Sequence, residues 1–157
     1  MEHVEINQTK KLSEHFTLGE LTKTSVKTKD GNIPSHVAIE NLKRVSEWLE
    51  HLRAQYNLLY SDGSHPIIIN SGYRSEAVNK KVGGSPTSNH LTGCAVDIKV
   101  FGIEEALRYA VILLNYADLA DEKFDELLIE RSPRGTYWLH FAVRPKENRR
   151  KVMFIQT

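Results

Sequence analysis

The sequence predicts an α+β fold, because helical patterns come first and patterns typical of antiparallel strands cluster late. From Ala38 to Tyr56, apolar residues recur every three or four positions, as on one face of a long amphipathic helix. Two apolar segments, KFDELLIE and TYWLHFAV, flank the turn-like RSPRG and predict a β-hairpin. We therefore expect a small antiparallel sheet packed with helices, in a single domain over residues 1–157.

The first elements follow from local signals. Thr17 and Glu20 are spaced as a capping box for a short helix in FTLGELTKTS. Pro34 suits the start of the long helix, which is predicted to end near Asn57. PIIIN is a β-branched run typical of a strand. SGYRSEAVNKKVGG then turns into a short helix, with Ser75 as its N-cap and two glycines as its end.

The later elements alternate between strand and helix. GCAVDIKV is predicted to be a strand and GIEEALRYAVILLNYADL a helix, and KVMFIQT is a candidate for a last strand. If the hairpin is symmetric about Gly135, Glu130 lies opposite His140. Cross-strand partners on one face are about 5 Å apart, so this register predicts a carboxylate beside a histidine.

The composition argues against several classes of protein. The chain has 21 Lys and Arg against 20 Asp and Glu, which indicates neither a nucleic-acid-binding surface nor a membrane-seeking one. No apolar run approaches the roughly 18 residues of a membrane span. The polar start MEHVEINQTKKLSEHF lacks the apolar core of a secretory signal, so we expect synthesis in the cytoplasm. We also expect a monomer, with residues 1–11 as a flexible N-terminal segment.

Polar side chains that could bind a metal or take part in catalysis lie on the reverse faces of two predicted strands. Because side chains alternate along a strand, Asp97 lies on the face that is opposite to the face of the apolar Val96. His140 likewise lies on the polar face of its hairpin strand. His90 precedes Asp97 by seven positions. Two histidines and an aspartate suffice for a zinc site that keeps one position open, and a nearby carboxylate such as Glu130 could serve as a base. By spacing alone, hydrogen-bonded structural histidines remain the alternative.

Several motifs together resemble the zinc D-Ala-D-Ala carboxypeptidase family and its hedgehog-like relatives. In order, they are SGYRS, VGGSPTSNHLTGCAVDI, and FDELLIE followed by WLHFAV. The family signature Ser-x-His-x-x-Gly-x-Ala-x-Asp reads here Ser88, His90, Gly93, Ala95 and Asp97. The match looks closest to the small phage-type peptidoglycan peptidases and spans about residues 12–143.

The resemblance implies a Zn²⁺ cofactor and a role for each matching position. His90, Asp97 and His140 would be the metal ligands. Glu130 would be the general base, which later returns the proton as an acid. The loop between Glu130 and His140 looks longer than in the hedgehog-like members, and Glu126, which has the same strand parity, is the alternative base.

Two further positions would contact the substrate. Arg74 would stabilise the oxyanion of the tetrahedral intermediate or hold a carboxylate, because a guanidinium is always charged and donates in a fork. A surface ion pair is the alternative for Arg74. Ser88 would hydrogen-bond the substrate or orient the neighbouring ligand, and its alternative is a loop serine that caps local backbone.

The resemblance implies a zinc metallopeptidase that hydrolyses a peptide bond in the stem peptide of bacterial peptidoglycan. A D-Ala-D-Ala carboxypeptidase and an L-Ala-D-Glu-type endopeptidase both fit, in the setting of a phage endolysin that reaches the cell wall by phage-assisted release. A cytoplasmic recycling peptidase is the alternative setting. The alternative is a non-catalytic zinc-containing module of the hedgehog-like type, which binds the cell wall or a protein. Glu130 argues against that alternative, because a binding module has no need of a base.

The single cysteine and the other histidines have no predicted role in the site. Cys94 shares a strand face with Val96, so we interpret it as a small core residue, and one cysteine cannot form an internal disulfide. The remaining histidines are expected to be solvated or capping residues: His3, His15, His36, His51 and His65.

Overall fold

Five strands form one sheet in the computed structural model, which describes residues 7–157. The helices are α1 (Leu18–Thr22), α2 (His36–Tyr60), α3 (Glu76–Lys81) and α4 (Ile103–Ala120), with a 3₁₀ turn over Asn89–Thr92. The strands are β1 (Ile69–Ser71), β2 (Ala95–Lys99), β3 (Glu126–Arg131), β4 (Tyr137–Ala142) and β5 (Lys151–Gln156). This architecture confirms the predicted α+β class.

The strand order in the sheet is β1-β2-β4-β3-β5, and each neighbouring pair except the last is antiparallel. β5 runs parallel to β3, so the prediction of a wholly antiparallel sheet was wrong for this strand. The reason is the short connection over residues 143–150. β4 ends beside the start of β3, and the short connection places the first residue of β5 at the same level, so that Ala142 and Lys151 both pair with Glu126. From that point β5 can only run in the direction of β3.

The core lies between one face of the sheet and the helices α2 and α4. Apolar side chains of β2 and β4 point towards these helices, as the period of two predicted. Trp48 of α2 packs edge-on against Tyr116 of α4, with ring centroids 4.8 Å apart. The fully buried members of this core include Leu42, Val45, Leu49, Val96, Ile98, Leu113, Leu139 and Phe141. The reverse face of the sheet is therefore free to carry polar groups.

The helix caps follow the sequence closely. Thr17 Oγ1 accepts a hydrogen bond from Glu20 N at 3.2 Å, and Ser75 Oγ accepts one from Val78 N at the same distance. The long helix begins two residues later than Pro34, because Ser35 is its N-cap. None of the helices in residues 7–157 is long and apolar enough to cross a bilayer.

The long helix ends at Tyr60 rather than near Asn57. The Asn57 side chain forms two hydrogen bonds with the His65 backbone, at 2.7 and 2.9 Å. Asn57 therefore closes the loop that follows the helix, and the helix continues past it for a further turn.

The hairpin register differs from the predicted one. Glu130 pairs with Trp138, and Leu128 is the partner of His140, so the hairpin is centred on Arg134 rather than Gly135. Gly135 N donates to Ser132 O at 2.9 Å, which makes Gly135, with a φ of 88°, the last residue of a four-residue turn. Glu130 is therefore one pair nearer the turn than predicted, although it stays on the same face as His140.

The start of the described chain packs against α1. Gly19 N donates to Gln8 O at 3.0 Å, and Leu18 N donates to Lys10 O at 2.8 Å. The remainder of the predicted flexible segment, residues 1–6, lies outside the described residues, as does His3.

Candidate metal centre

The reverse face of the sheet brings His90, Asp97 and His140 together. Asp97 in β2 and His140 in β4 are direct cross-strand partners, and His90 lies in the 3₁₀ turn that precedes β2. One nitrogen or oxygen atom from each of the three side chains lies within 4.8 Å of the others. The three predicted ligands thus form one cluster.

Local hydrogen bonds fix the orientation of His90. Its Nδ1 lies 2.7 Å from Gly72 O, so Nδ1 carries the proton and donates to the carbonyl. Its Nε2 faces Asp97 Oδ2 at 3.4 Å. Ser88 Oγ accepts a hydrogen bond from His90 N at 3.2 Å, so Ser88 caps the turn that carries the ligand.

His140 makes a contact through each ring nitrogen. Its Nδ1 lies 3.0 Å from Asp97 Oδ1, and its Nε2 lies 3.2 Å from Glu126 Oε1. Burial lowers the pKa of His140, but the hydrogen bonds to the two carboxylates outweigh burial and raise that pKa to about 9. For Asp97, burial raises the pKa, and the charges and hydrogen bonds of His90 and His140 outweigh it and hold the pKa well below its usual range.

This donor set fits a zinc ion. Two imidazole nitrogens and one carboxylate oxygen are the ligands of a zinc site that keeps an open position. Each histidine also has the outer partner typical of a metal-bound imidazole, the Gly72 carbonyl for His90 and the Glu126 carboxylate for His140. If Nδ1 of His140 binds the metal, its Nε2 donates to Glu126.

Arg74 lies beside the cluster rather than on the open surface. Its Nη2 is 3.1 Å from Asp97 Oδ2, and its side chain is only 18% exposed. Arg74 Nε donates to Ser71 Oγ at 3.2 Å. The alternative of a surface ion pair therefore does not describe Arg74, because its partner is a candidate metal ligand.

Two glutamates of β3 share the face of His140, but they differ in their surroundings. Glu126 accepts hydrogen bonds from the side chains of His140 and Asn89, and the bond with His140 is the main cause that lowers its pKa. Glu130 is half-buried beside Trp138, and burial raises its pKa. Glu126 is therefore held in a network, whereas Glu130, whose pKa is the higher of the two, is the stronger base.

Comparison with known families decides the relationship. A family model described as Peptidase M15 matches residues 14–117, about two thirds of the chain. The chain belongs to the peptidase M15 family. The matched range of this M15 chain includes His90 and Asp97, while His140 and both glutamates lie beyond it. Among curated proteins, no relative matches the chain.

Membership of the M15 family implies a zinc metallopeptidase with a peptidoglycan-type substrate. The cleft of this M15 chain has a volume of about 570 Å³ and opens over the cluster. It is lined by the predicted residues Arg74, Ser88, His90, Asp97, Glu130 and His140.

Sequence reasoning missed a second group of residues in this cleft. Asn89, Glu126 and three cations from the C-terminal part line it as well, and Glu126 had been considered only as a base. The cations are Arg144, Arg149 and Lys151. The charged run RPKENRRK after the hairpin was the available signal, since a cationic loop next to a candidate metal site is a candidate anion site.

The other predicted residues are placed as follows. Cys94 is 2% exposed, which confirms its assignment to the interior, and burial raises the pKa of its thiol. His36 is the first residue of α2, and His15 Nδ1 lies 2.6 Å from Glu50 Oε1. His51 stacks on Tyr116, with ring centroids 4.1 Å apart.

His65 is not a solvated loop residue as predicted. Its Nε2 lies 2.6 Å from Tyr109 Oη and 3.0 Å from Glu105 Oε1. The reason is that its loop folds back between the end of α2 and α4, where the imidazole also packs against Tyr56. His65 thus has a structural role: it contacts residues of α2 and α4, which carry none of the candidate metal ligands.

Proposed function

We propose that the protein is a zinc-dependent peptidase that hydrolyses a peptide bond in the stem peptide of bacterial peptidoglycan. The main support is that His90, Asp97 and His140 converge in a cleft that also contains a separate, half-buried Glu130. A bound zinc ion supplies Lewis acidity that polarises a peptide carbonyl and lowers the pKa of water. The remaining chemistry falls to side chains of the cleft.

Glu130 is proposed to move the proton. Its raised pKa, caused by burial, suits a carboxylate that takes a proton from the attacking water and then gives it to the leaving amine. Glu126 is a poor candidate for this step, because its oxygens already accept hydrogen bonds from His140 and Asn89. Glu126 is instead proposed to orient His140.

Arg74 is proposed to act on the substrate carbonyl. Its guanidinium lies beside Asp97, and a forked cation in that position can stabilise the oxyanion of the tetrahedral intermediate. Ser88 lines the same cleft, and it is proposed to contact the substrate in addition to capping the turn of His90.

Two specificities fit the site, removal of a terminal D-Ala and cleavage between L-Ala and D-Glu. We propose the setting of a phage endolysin, in which a monomeric enzyme reaches the cell wall by phage-assisted release. Neither specificity requires a change in the roles of the residues, since only the position of the stem peptide along the cleft differs.

Incubation of the zinc-loaded protein with purified peptidoglycan tests the proposal. Mass spectrometry should identify one new type of peptide terminus, free D-Ala for a carboxypeptidase or a new D-Glu amino terminus for an endopeptidase. The matched control is Glu130→Gln, which should bind zinc but produce no new termini above background. If the folded, zinc-loaded wild type also produces none, the binding-module alternative replaces the proposal.

A further inference from the structure

One wall of the cleft carries three cations that the proposed reaction does not use. Arg144 follows β4, Arg149 lies in the connection to β5, and Lys151 is the first residue of β5. They lie on β3's side of the metal ligands, whereas Arg74 contacts Asp97 of β2. All three lie beyond residues 14–117, the part of the chain that matches the family.

A buried carboxylate fixes Arg149 and lies beside Arg144. The Asp125 side chain is 0% exposed, and it accepts hydrogen bonds from Arg149 Nε at 3.0 Å and Arg149 Nη2 at 2.8 Å. Arg149 N also donates to Asp125 Oδ1 at 2.9 Å, and Arg144 Nε lies 3.2 Å from Asp125 Oδ2. A forked, charge-assisted contact of this kind holds a guanidinium in one orientation.

The cations exceed the carboxylates that they contact. Arg144 and Arg149 lie beside Asp125, and Arg149 Nη2 is also 3.6 Å from Glu126 Oε2, whereas Lys151 contacts neither carboxylate. Among the hydrogen bonds and ion pairs of residues 7–157, the Arg144 guanidinium takes part only through Nε, which donates to Asn89 Oδ1 at 2.8 Å and lies 3.2 Å from Asp125 Oδ2, and Lys151 Nζ takes part in none. The two arginines therefore balance the two carboxylates, and the charge of Lys151 and the terminal nitrogens of Arg144 remain available on residues that line the cleft.

We propose that Arg144, Arg149 and Lys151 form a subsite for a carboxylate of the substrate, so that the enzyme selects acidic peptides. The inference rests on the proposed function and adds its substrate class. A single carboxylate, that of Glu126, separates His140 from Arg149. At about 3.4 Å per extended residue, the recognised carboxylate lies within about three residues of the scissile bond.

The carboxylate has two possible sources in a stem peptide, an internal one on D-Glu or the one at the C-terminus. The probe is therefore the pentapeptide L-Ala-γ-D-Glu-L-Lys-D-Ala-D-Ala, which contains both candidate scissile bonds, in three forms. The first has both carboxyl groups free, the second has the D-Glu carboxyl amidated, and the third has the C-terminal carboxyl amidated. Calorimetry with the zinc-loaded Glu130→Gln chain gives the dissociation constant of each form without consuming it.

The two outcomes identify the source. One amide should bind about tenfold more weakly than the free acid, as expected for the loss of a charge-assisted hydrogen bond, and the other should bind like the free acid. The weakened form names the carboxylate that the subsite recognises. Equal affinity for all three forms would overturn the proposal.

Substitutions locate the subsite. Lys151→Gln removes a cation that does not contact the Asp125 carboxylate. It should weaken binding of the free acid about fivefold to tenfold and leave unchanged the binding of the amide that the wild type binds more weakly. Arg149→Gln should do the same more strongly, with its melting temperature as a check on folding. If Lys151→Gln weakens the binding of the free acid and of that amide by the same factor, the cations are structural and the proposal fails.

Arg150→Gln is the matched control. Arg150 lies in the same connection, but its Nη2 binds Asp118 Oδ1 at 2.8 Å and its guanidinium packs over Phe124, away from the cleft. This variant loses the same charge and should retain the preference for the acid. A loss of preference in Arg150→Gln equal to that in Lys151→Gln would assign the effect to net charge and overturn the subsite.

Cleavage is scored separately on the wild type. Hydrolysis of the acid and the amides at equal rates would refute the proposed subsite and leave the proposed peptidase activity standing. Preference for the acid in binding, without hydrolysis of any form, would support the subsite and count against the peptidase.

Discussion

At the scale of single residues, the two ring nitrogens of His140 separate the roles of the surrounding carboxylates. Nδ1 faces Asp97, a fellow ligand candidate, and Nε2 faces Glu126. Among the hydrogen bonds of residues 7–157, none joins Glu130 to either nitrogen of His140, and burial raises the pKa of Glu130. On the proposed roles, the carboxylate that orients a ligand and the carboxylate that accepts a proton are therefore different residues of one strand.

Replacing Glu130 by Gln should remove catalysis while leaving the metal in place. Gln keeps the size of the side chain but cannot accept a proton, so kcat should fall by the roughly 10²–10⁴-fold typical of a general base. Zinc content, measured by mass spectrometry of the metal, should equal that of the wild type.

Glu126→Gln is the contrasting variant. Its amide oxygen can still accept from His140, but the charge is lost, so zinc affinity should fall by about tenfold while kcat at saturating zinc stays near the wild-type value. Competition with a chelator of known affinity gives the comparison. Inactive Glu126→Gln beside active Glu130→Gln would exchange the two roles.

The candidate ligands make a prediction of their own. His90→Ala, Asp97→Ala and His140→Ala should each lose most of their bound zinc, because a site with three protein ligands cannot spare one. Near-stoichiometric zinc in any two of these variants would refute the ligand assignment. Cys94→Ser is the control: it should keep its zinc and lose only stability, since it buries a hydroxyl in the place of a thiol.

At the scale of elements, the 3₁₀ turn over Asn89–Thr92 depends on Gly93. Gly93 has a φ of 74°, and a Cβ at this position would lie 2.5 Å from Ala38 O in α2. Gly93→Ala should therefore lower the free energy of unfolding by about 3 kcal/mol, from backbone strain and overpacking together. Urea denaturation measures the loss.

Gly63→Ala separates the two causes. Gly63 also has a positive φ, 105°, but a Cβ there meets nothing within 4 Å. This variant should cost only about 1 kcal/mol, the strain alone. Equal losses in the two variants would show that the contact with α2 contributes nothing.

Local patterns predicted the elements well, because their causes are local. The caps Thr17 and Ser75, the apolar stripe of α2 and the alternation in β2 each depend on neighbours within a few positions. The hairpin register was missed because Gly135 marks the end of its turn and not the centre. The role of Glu126 was missed because Asn89 and Arg149, its partners, are 37 and 23 positions away in the sequence.

At the scale of the whole molecule, Asp125 joins the last part of the chain to the body of the fold. Its side chain binds Arg149 and Asn89, and its backbone oxygen accepts from Lys151 N at 2.8 Å. Burial raises the pKa of Asp125, but the hydrogen bonds from Arg149 and Asn89 outweigh burial and lower that pKa to about 2. The ionised carboxylate is therefore worth more to the folded state than to the unfolded chain.

This shift predicts a loss of stability in acid. An aspartate in the unfolded chain has a pKa near 3.8, so the stabilisation is complete above about pH 4 and is lost as the pH falls through about 2. The difference in pKa corresponds to about 2 kcal/mol. Asp125→Asn should lack this component, so its free energy of unfolding should approach that of the wild type between pH 4 and pH 2.

Asp118→Asn serves as the control for Asp125→Asn. Asp118 also binds an arginine, Arg150, but its side chain is 64% exposed, so the ion pair should contribute less than about 1 kcal/mol. A pH dependence in Asp125→Asn that matches that of the wild type would show that other groups cause the acid sensitivity.

Glu126 has one oxygen near His140 and the other near Arg149. Because one carboxylate is shared, an anion that neutralises Arg149 in place leaves more of the negative charge of Glu126 available to His140, and an ion on His140 in turn draws that charge from Arg149. Thermodynamic reciprocity then requires both affinities to change by the same factor. If the proposed subsite binds an acidic peptide, the protein would bind zinc most tightly while that peptide lies in the cleft, and bound zinc would raise the affinity for the peptide by the same factor.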